Sequence, residues 1–333
     1  MAIDSSTLDR LRGGTYNPEG PRFEELRIQV PYPCKARCAW CSTWKKNPRF
    51  QSLYDGGVSE RIMDFYAKVI KDEKPRRLML SGGEPILYPG ISDFLKRVSK
   101  HVESIFLYTS YQYMPEDLEH VDVNKLPGDK LVFTHSVFDF LPDNWHKGTL
   151  NRTPHDRYVD NIIIAKNWPG RKIVKFVLNH PHLEEEVKLF HKLVQPDAGF
   201  HLEAKLLNNQ ANNFGRKQIE KTKEIVHKNR EIFGISTNNE VQLDNIMEGR
   251  ITENCIYWKA PELRFALYRE DPDVVLKYRF CGYFPGDFSY KVHINNYKNG
   301  MFYRAFKKAR FKNACKDCRL LFYKGSGTPP ETD

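Results

Sequence analysis

Three cysteines fall within eight residues, Cys34-Lys-Ala-Arg-Cys38-Ala-Trp-Cys41, close enough to wrap one corner of a metal centre. Thiolate is the soft, anionic ligand that iron–sulfur clusters require, and zinc accepts it too. A cubane held by three cysteines leaves one iron open to a small molecule. The competing reading of the same spacing is a zinc site completed by a histidine. A second motif, Ser81-Gly82-Gly83-Glu84-Pro85, places a carboxylate beside two glycines. Glycines allow close approach of the backbone, and a carboxylate beside them suits an ammonium group. Four further cysteines, Cys255, Cys281 and the pair Cys315-Lys-Asp-Cys318, can close a tetrahedral zinc site or fill the four corners of a second cubane. The total of seven is odd, which argues against a closed disulfide framework.

These motifs need a scaffold, and the hydrophobic pattern supplies one. Short β-like runs read at Leu26–Val30, Arg77–Leu80, Ile105–Thr109, Leu131–Ser136, Ile173–Leu178 and Phe200–Ala204. Between them lie helix patterns: one with a buried face of Ile62, Met63, Phe65, Tyr66, Val69 and Ile70, then Ile91–Lys100, His155–Asn167 and Leu183–Val194. Strands alternating with helices or helix-sized gaps predict right-handed crossovers and a parallel sheet. The stretch is shorter than the roughly 250 residues of a full eight-unit barrel, so the fold class is α/β with a partial (βα)6 barrel. Cys34 and Glu84 then sit beyond the carboxyl ends of the first two strands, where such sheets build their sites.

The expected organisation is an N-terminal arm over 1–23, the partial barrel over 24–207, a linker and charged helix over 208–239, a small α+β iron–sulfur domain over 240–325 and a disordered tail over 326–333. The charged helix reads as Arg216–Phe233. In the last domain, alternation from Phe288 to Arg304 around Lys298-Asn299-Gly300 predicts a hairpin. The formal net charge is +10, and most of it lies between Lys291 and Lys324, where ten Lys and Arg face one acid, Asp317. That points to an acidic partner: an acidic redox protein of the flavodoxin or ferredoxin type, a phosphorylated substrate or nucleic acid. A solvated face is the plainer reading. No apolar run reaches the ~18 residues of a membrane helix, and the N-terminus lacks a signal-peptide core, so a cytoplasmic location without membrane association is expected.

The pairing of Cys-x3-Cys-x-aromatic-Cys with Gly-Gly-Glu-Pro resembles the radical S-adenosylmethionine superfamily over roughly residues 24 to 205. The resemblance implies that Cys34, Cys38 and Cys41 hold a [4Fe-4S] cluster whose fourth iron is chelated by S-adenosylmethionine. It implies that Gly82, Gly83 and Glu84 receive the methionine amino group, with Pro85 shaping the loop and Trp40 lying beside the adenine. Thr109, Ser136 and Asn179, at later strand ends, occupy places where that family contacts the same molecule. The second cysteine set resembles a Twitch domain, the shortened relative of SPASM domains, which implies a second, auxiliary [4Fe-4S] cluster.

With two clusters all seven cysteines are consumed, and no thiol remains to return a hydrogen atom as radical epimerases of the family do. The resemblance therefore implies an oxidoreductase that dehydrogenates a small polar molecule or a peptide side chain, the auxiliary cluster taking an electron. A radical enzyme acting on nucleic acid or a phosphorylated substrate, an epimerase, and a zinc protein that binds nucleic acid are the alternatives. His135, His146, Asp139 and Glu203 stand near strand ends as candidate proton acceptors, and His180-Pro-His182 reads as loop.

Overall fold

A computed structural model gives the structure of the chain and describes residues 23–32, 34, 36, 58–137, 140–142, 153–177, 182–194, 200–205, 216–229, 262–266, 275–279 and 289–302. In chain order the elements are β1 (Phe23–Val30), α1 (Val58–Glu73), β2 (Pro75–Gly82), α2 (Ile91–Val98), β3 (Ser104–Thr109), β4 (Leu131–Val137), α3 (His155–Ala165), β5 (Arg171–Val177), α4 (Leu183–Val194), β6 (Phe200–Lys205) and α5 (Arg216–Lys228). Three more strands follow: β7 (Glu262–Ala266), β8 (Val275–Arg279) and β9 (Ser289–His293). One sheet holds all of them in the order β6-β5-β4-β3-β2-β1-β7-β8-β9. Strands β1 to β6 pair in parallel, each with its sequence neighbour. The six strands read from the sequence are all present, within a few residues of their expected ends. The gap between β3 and β4 is filled by two 3-10 turns, Pro115–Leu118 and Val123–Lys125.

Packing follows the alternation of the strands. Leu26, Ile28, Val30, Leu78, Leu80, Ile105 and Leu107 are buried in one core with Ile62, Met63, Phe65, Tyr66, Val69 and Ile70 of α1 and Ile91, Phe94, Leu95 and Val98 of α2. On α4, Leu183, Val187, Phe190 and Val194 make the buried stripe, with Phe190 edge-on to Phe176 at 5.3 Å between ring centres. Each such side chain contributes roughly 1.5–3 kcal/mol by leaving water, so the helical faces hold the sheet in place. The intervening strand positions Glu25, Arg27, Gln29, Met79, Ser81, Phe106 and Tyr108 are only partly buried, and Arg77 is exposed. Among the described residues that face of the sheet is less buried and mixes polar with apolar side chains.

Beyond the six-strand unit, β7 runs parallel to β1, with Arg27 opposite Glu262 and Ile28 opposite Leu263, and β8 and β9 continue antiparallel. The hairpin expected around Lys298-Asn299-Gly300 is corrected. Strand β9 pairs with β8, and Ile294–Asn296 coil into a 3-10 turn. Gly300 takes a φ of 68°, Met301 donates to the Lys298 carbonyl at 2.9 Å, and Met301 and Phe302 are helical. The reason is a long-range contact. Glu73, at the end of α1 and fully buried, accepts the Tyr297 hydroxyl at 3.0 Å and the Phe302 N–H at 3.1 Å. The Tyr297 and Phe302 rings stack 5.2 Å apart, with Tyr297 edge-on to Phe65 of α1. This bond set turns the chain inward where the local pattern alone favours an extended limb. Helix α5 covers Arg216–Lys228 of the expected charged helix, with Asn229 donating its side-chain amide to the Ile225 carbonyl at 2.8 Å, and 230–233 lie outside the described residues.

Replacing Glu73 by alanine leaves two buried donors without their acceptor, at a cost of about 2–4 kcal/mol in unfolding free energy. Glu73→Gln, which keeps an acceptor oxygen, should lose less than half of that in urea unfolding. Equal losses would show that the hydrogen bonds are not what holds residues 297–302.

Candidate functional site

The carboxyl ends of β1 and β2 are in register, Val30 opposite Gly82. Half-buried Cys34 follows β1 by four residues, and the Gly82-Gly83-Glu84-Pro85 loop follows β2 directly. The cysteine and the carboxylate predicted to act together therefore leave neighbouring strands at the same edge. Gly82 is required by its surroundings. Its φ is 129°, and a Cβ there would stand 2.5 Å from the Val30 carbonyl oxygen and 2.8 Å from the Val30 nitrogen. Only glycine lets the two strand ends approach this closely. Pro85 begins a 3-10 turn over Pro85–Leu87 that carries the chain away, with Leu87 donating to the Glu84 carbonyl at 3.1 Å.

Glu84 is 1% exposed and pairs with no cation among the described residues. One oxygen, Oε2, accepts the Ser110 N–H at 2.7 Å and the Ser110 hydroxyl as well. The other, Oε1, is buried without a hydrogen-bond partner among the described residues. Burial pushes the carboxyl up to about 7, against the pull of the two Ser110 bonds and smaller contributions from Thr109 and the Ile86 amide. An orphaned, buried acceptor is costly unless a ligand supplies a donor.

The Ser110 clamp is held by elements behind it. Asn161 on α3 donates its side-chain amide to the Tyr111 and Tyr113 carbonyls, at 2.8 Å each. Three residues earlier on the same helical face, Tyr158 bonds to His135 Nε2, and His135 Nδ1 donates to the Thr109 carbonyl at 2.9 Å. Tyr111 N–H donates to Thr109 Oγ1 at 3.2 Å, and Gln112 N–H to Ser110 Oγ at 3.2 Å. The turn needs a φ of 55° at Tyr111, a sparsely populated conformation that these bonds stabilise. His135 is thus a strap between β3, β4 and α3. Burial lowers its pKa to about 4, and both of its ring nitrogens are engaged.

Of the residues singled out in the sequence, Gly82, Gly83, Glu84, Pro85, Cys34 and Thr109 gather at this edge. Ser136 is half-buried one position from the end of β4, opposite Lys175 of β5. His182 caps the start of α4 beside Glu185 at 2.9 Å, in keeping with its reading as a loop residue. Trp40, Cys38, Cys41, Asp139, His146, Asn179, Cys255, Cys281, Cys315 and Cys318 lie outside the described residues, as does the Glu203 side chain. Ser110, Tyr158 and Asn161 were missed. Their only sequence signal was a polar residue directly after a strand and two polar positions three apart on an amphipathic helix.

The residues present fit S-adenosylmethionine on two observations: Glu84 Oε1 has no donor among the described residues, and Gly82 keeps open a place that any Cβ would fill. Where nothing binds, that carboxyl costs stability. The unfolded chain ionises Glu84 near 4.5 and the folded one near 7, so between those values the folded state holds the extra proton. Stability then falls as pH rises through this window. Glu84→Gln should remove that loss, so its stability advantage over the wild type should grow from pH 5 to pH 8, reaching a few kcal/mol by the usual ~1.4 kcal/mol per unit. Chemical denaturation at both pH values measures it, and an advantage independent of pH would contradict the burial argument.

Comparison with known proteins agrees with this geometry. Residues 27–127, which carry Cys34, Glu84 and Ser110, match a family model described as a 4Fe-4S single cluster domain. GTP 3′,8-cyclase of Aquifex aeolicus is 28% identical over 150 residues, 44% of this chain and 45% of that protein. That of Campylobacter lari is 28% identical over 88 residues, 26% of this chain and 27% of the relative. The match thus spans less than half the length of either. Among solved structures, Streptococcus suis SuiB bound to S-adenosylmethionine has a TM-score of 0.51 at 14% identity, covering 96% of this chain and 78% of that one. A second SuiB structure has a TM-score of 0.52 at 14% identity, covering 85% and 66%. At this identity the likeness concerns the fold. The matched cluster model and the cyclase relatives support a radical S-adenosylmethionine enzyme, the superfamily that the cysteine motif and the glycine–glutamate loop resemble.

Proposed function

We propose that the chain is a radical S-adenosylmethionine enzyme that removes a hydrogen atom from a substrate C–H and completes a two-electron oxidation of a small polar molecule or a peptide side chain. The observation that carries the first half is Glu84: a fully buried carboxylate with one oxygen fixed and the other without a donor among the described residues, at the edge where Cys34 emerges. Cys34, Cys38 and Cys41 would hold the first [4Fe-4S] cluster, with Gly82, Gly83 and Glu84 receiving the amino group of S-adenosylmethionine. Trp40 and Ser136 would line its nucleoside end. Together, cluster and S-adenosylmethionine supply a 5′-deoxyadenosyl radical, chemistry that belongs to the cofactors. The chain's own part is orientation and exclusion of water. His135, with both nitrogens bonded and its pKa low, is not suited to take the substrate's proton.

The oxidative half rests on cysteine arithmetic. Cys255, Cys281, Cys315 and Cys318 are proposed to hold an auxiliary [4Fe-4S] cluster, and no cysteine is then left to return a hydrogen atom. An acidic flavodoxin or ferredoxin meeting the basic 291–324 stretch would supply electrons. One observation favours a second reading, a phosphorylated substrate: the relatives named for GTP.

Anaerobic reconstitution separates these. Two cubanes predict about eight Fe per chain, by the four irons of each cluster. Zinc without sulfide would remove the proposal. Turnover of candidate metabolites, peptides and nucleotides in deuterated buffer should give an oxidised product. A product that only carries solvent deuterium would indicate an epimerase. Replacing Cys318 should leave uncoupled cleavage of S-adenosylmethionine but stop product, and full turnover would contradict an electron-accepting role.

A further inference from the structure

The first half of the proposed function, on which this inference rests, gives Glu84 a ligand but does not say what aims it. A carboxylate on a short side chain after two glycines has rotational freedom, and its two oxygens are chemically equivalent. In this fold they are not equivalent. Oε2 takes both donors of Ser110, a residue 26 positions away, and Oε1 takes none among the described residues. We propose that Ser110 is a positioning residue for the S-adenosylmethionine amino group. By donating its N–H and hydroxyl to Oε2 it holds Glu84 in one orientation, with Oε1 presented to the ligand.

The placement of Ser110 is itself over-determined. Asn161 fixes the carbonyls one and three residues after it, and His135 fixes the carbonyl just before it. The hydroxyl that donates to Glu84 accepts from Gln112 N–H at 3.2 Å, which orients its proton toward the carboxylate. Among the described residues no cation shares the task. Facing Glu84 are the Tyr111 and Tyr113 phenols, both pushed far up by burial, and neutral His135 stands behind Tyr111 at 5.0 Å between rings. From the Pro85–Leu87 turn comes only the Ile86 amide, whose carbonyl is held by His120 at 3.2 Å. The Ser110 donors are therefore the main groups that favour the charged form of Glu84, opposing its burial. Removing the hydroxyl would do two things: loosen the carboxylate and raise its pKa further.

The two effects give a signature that a merely structural residue lacks. S-adenosylmethionine affinity is measured by equilibrium binding to the anaerobically reconstituted full-length protein at about pH 6.5, 7.5 and 9, for the wild type, Ser110→Ala and Ser110→Thr. The loss of a hydrogen bond to a charged group predicts about 10-fold weaker binding for Ser110→Ala near pH 6.5, narrowing to roughly 3-fold at pH 9, where the carboxyl ionises without help. Iron content should match the wild type, and Ser110→Thr, which keeps the hydroxyl, should recover most of the affinity. An Ala penalty that is absent, or constant across pH, or shared equally by Thr, overturns the proposal while leaving the cofactor assignment standing. Wild-type protein that fails to bind S-adenosylmethionine at all overturns both.

Discussion

A carboxylate buried against its electrostatic preference is the constraint from which the rest of the site follows. Water would solvate Glu84 far better than the protein does, and burial alone would drive it toward the neutral acid. The fold tolerates the charge by supplying two donors to one oxygen, while the other has none among the described residues. Everything behind those donors serves their position: the turn after β3, the strap through His135 and Tyr158, and the amide of Asn161 reaching down from α3. The sheet contributes the other fixed coordinate, since the glycine at the end of β2 presses against Val30, the strand end from which the chain reaches Cys34. The site is preorganised at the expense of stability, a trade common where binding depends on an unsatisfied group.

The same logic extends to the far side of the sheet. A helix end would ordinarily be solvent-capped, yet α1 ends on a buried glutamate that gathers residues more than two hundred positions later. The turn after β9 is thereby fastened to the βα unit that follows the first cysteine, while β7 is held by its parallel pairing with β1.

What the sequence disclosed, and what it withheld, divides by the range of the interaction. The cysteine run and the glycine–glutamate loop are local patterns, so spacing along the chain is nearly the whole of their geometry. The six parallel strands were visible because burial on one face imposes a period that residues such as Leu26, Ile28 and Val30 display directly. Ser110, His135, Tyr158 and Asn161 meet through contacts spanning 26, 23 and 50 residues, and their types are ordinary at strand ends and on helices. Their roles exist only once the crossovers have folded. The hairpin expected at Lys298-Asn299-Gly300 failed for the same reason: a turn signal was read correctly, but Glu73 decided what came after it.

The central claim is that the Cys34 loop and Glu84 form one site for a cluster and S-adenosylmethionine. Electron paramagnetic resonance of the reconstituted, dithionite-reduced protein tests it most directly, with and without S-adenosylmethionine and in wild type and Glu84→Gln. The account predicts a cubane signal that S-adenosylmethionine perturbs in the wild type, together with release of 5′-deoxyadenosine, and a perturbation that needs far more ligand in the variant. No cubane signal, or one indifferent to S-adenosylmethionine in the wild type, would contradict it.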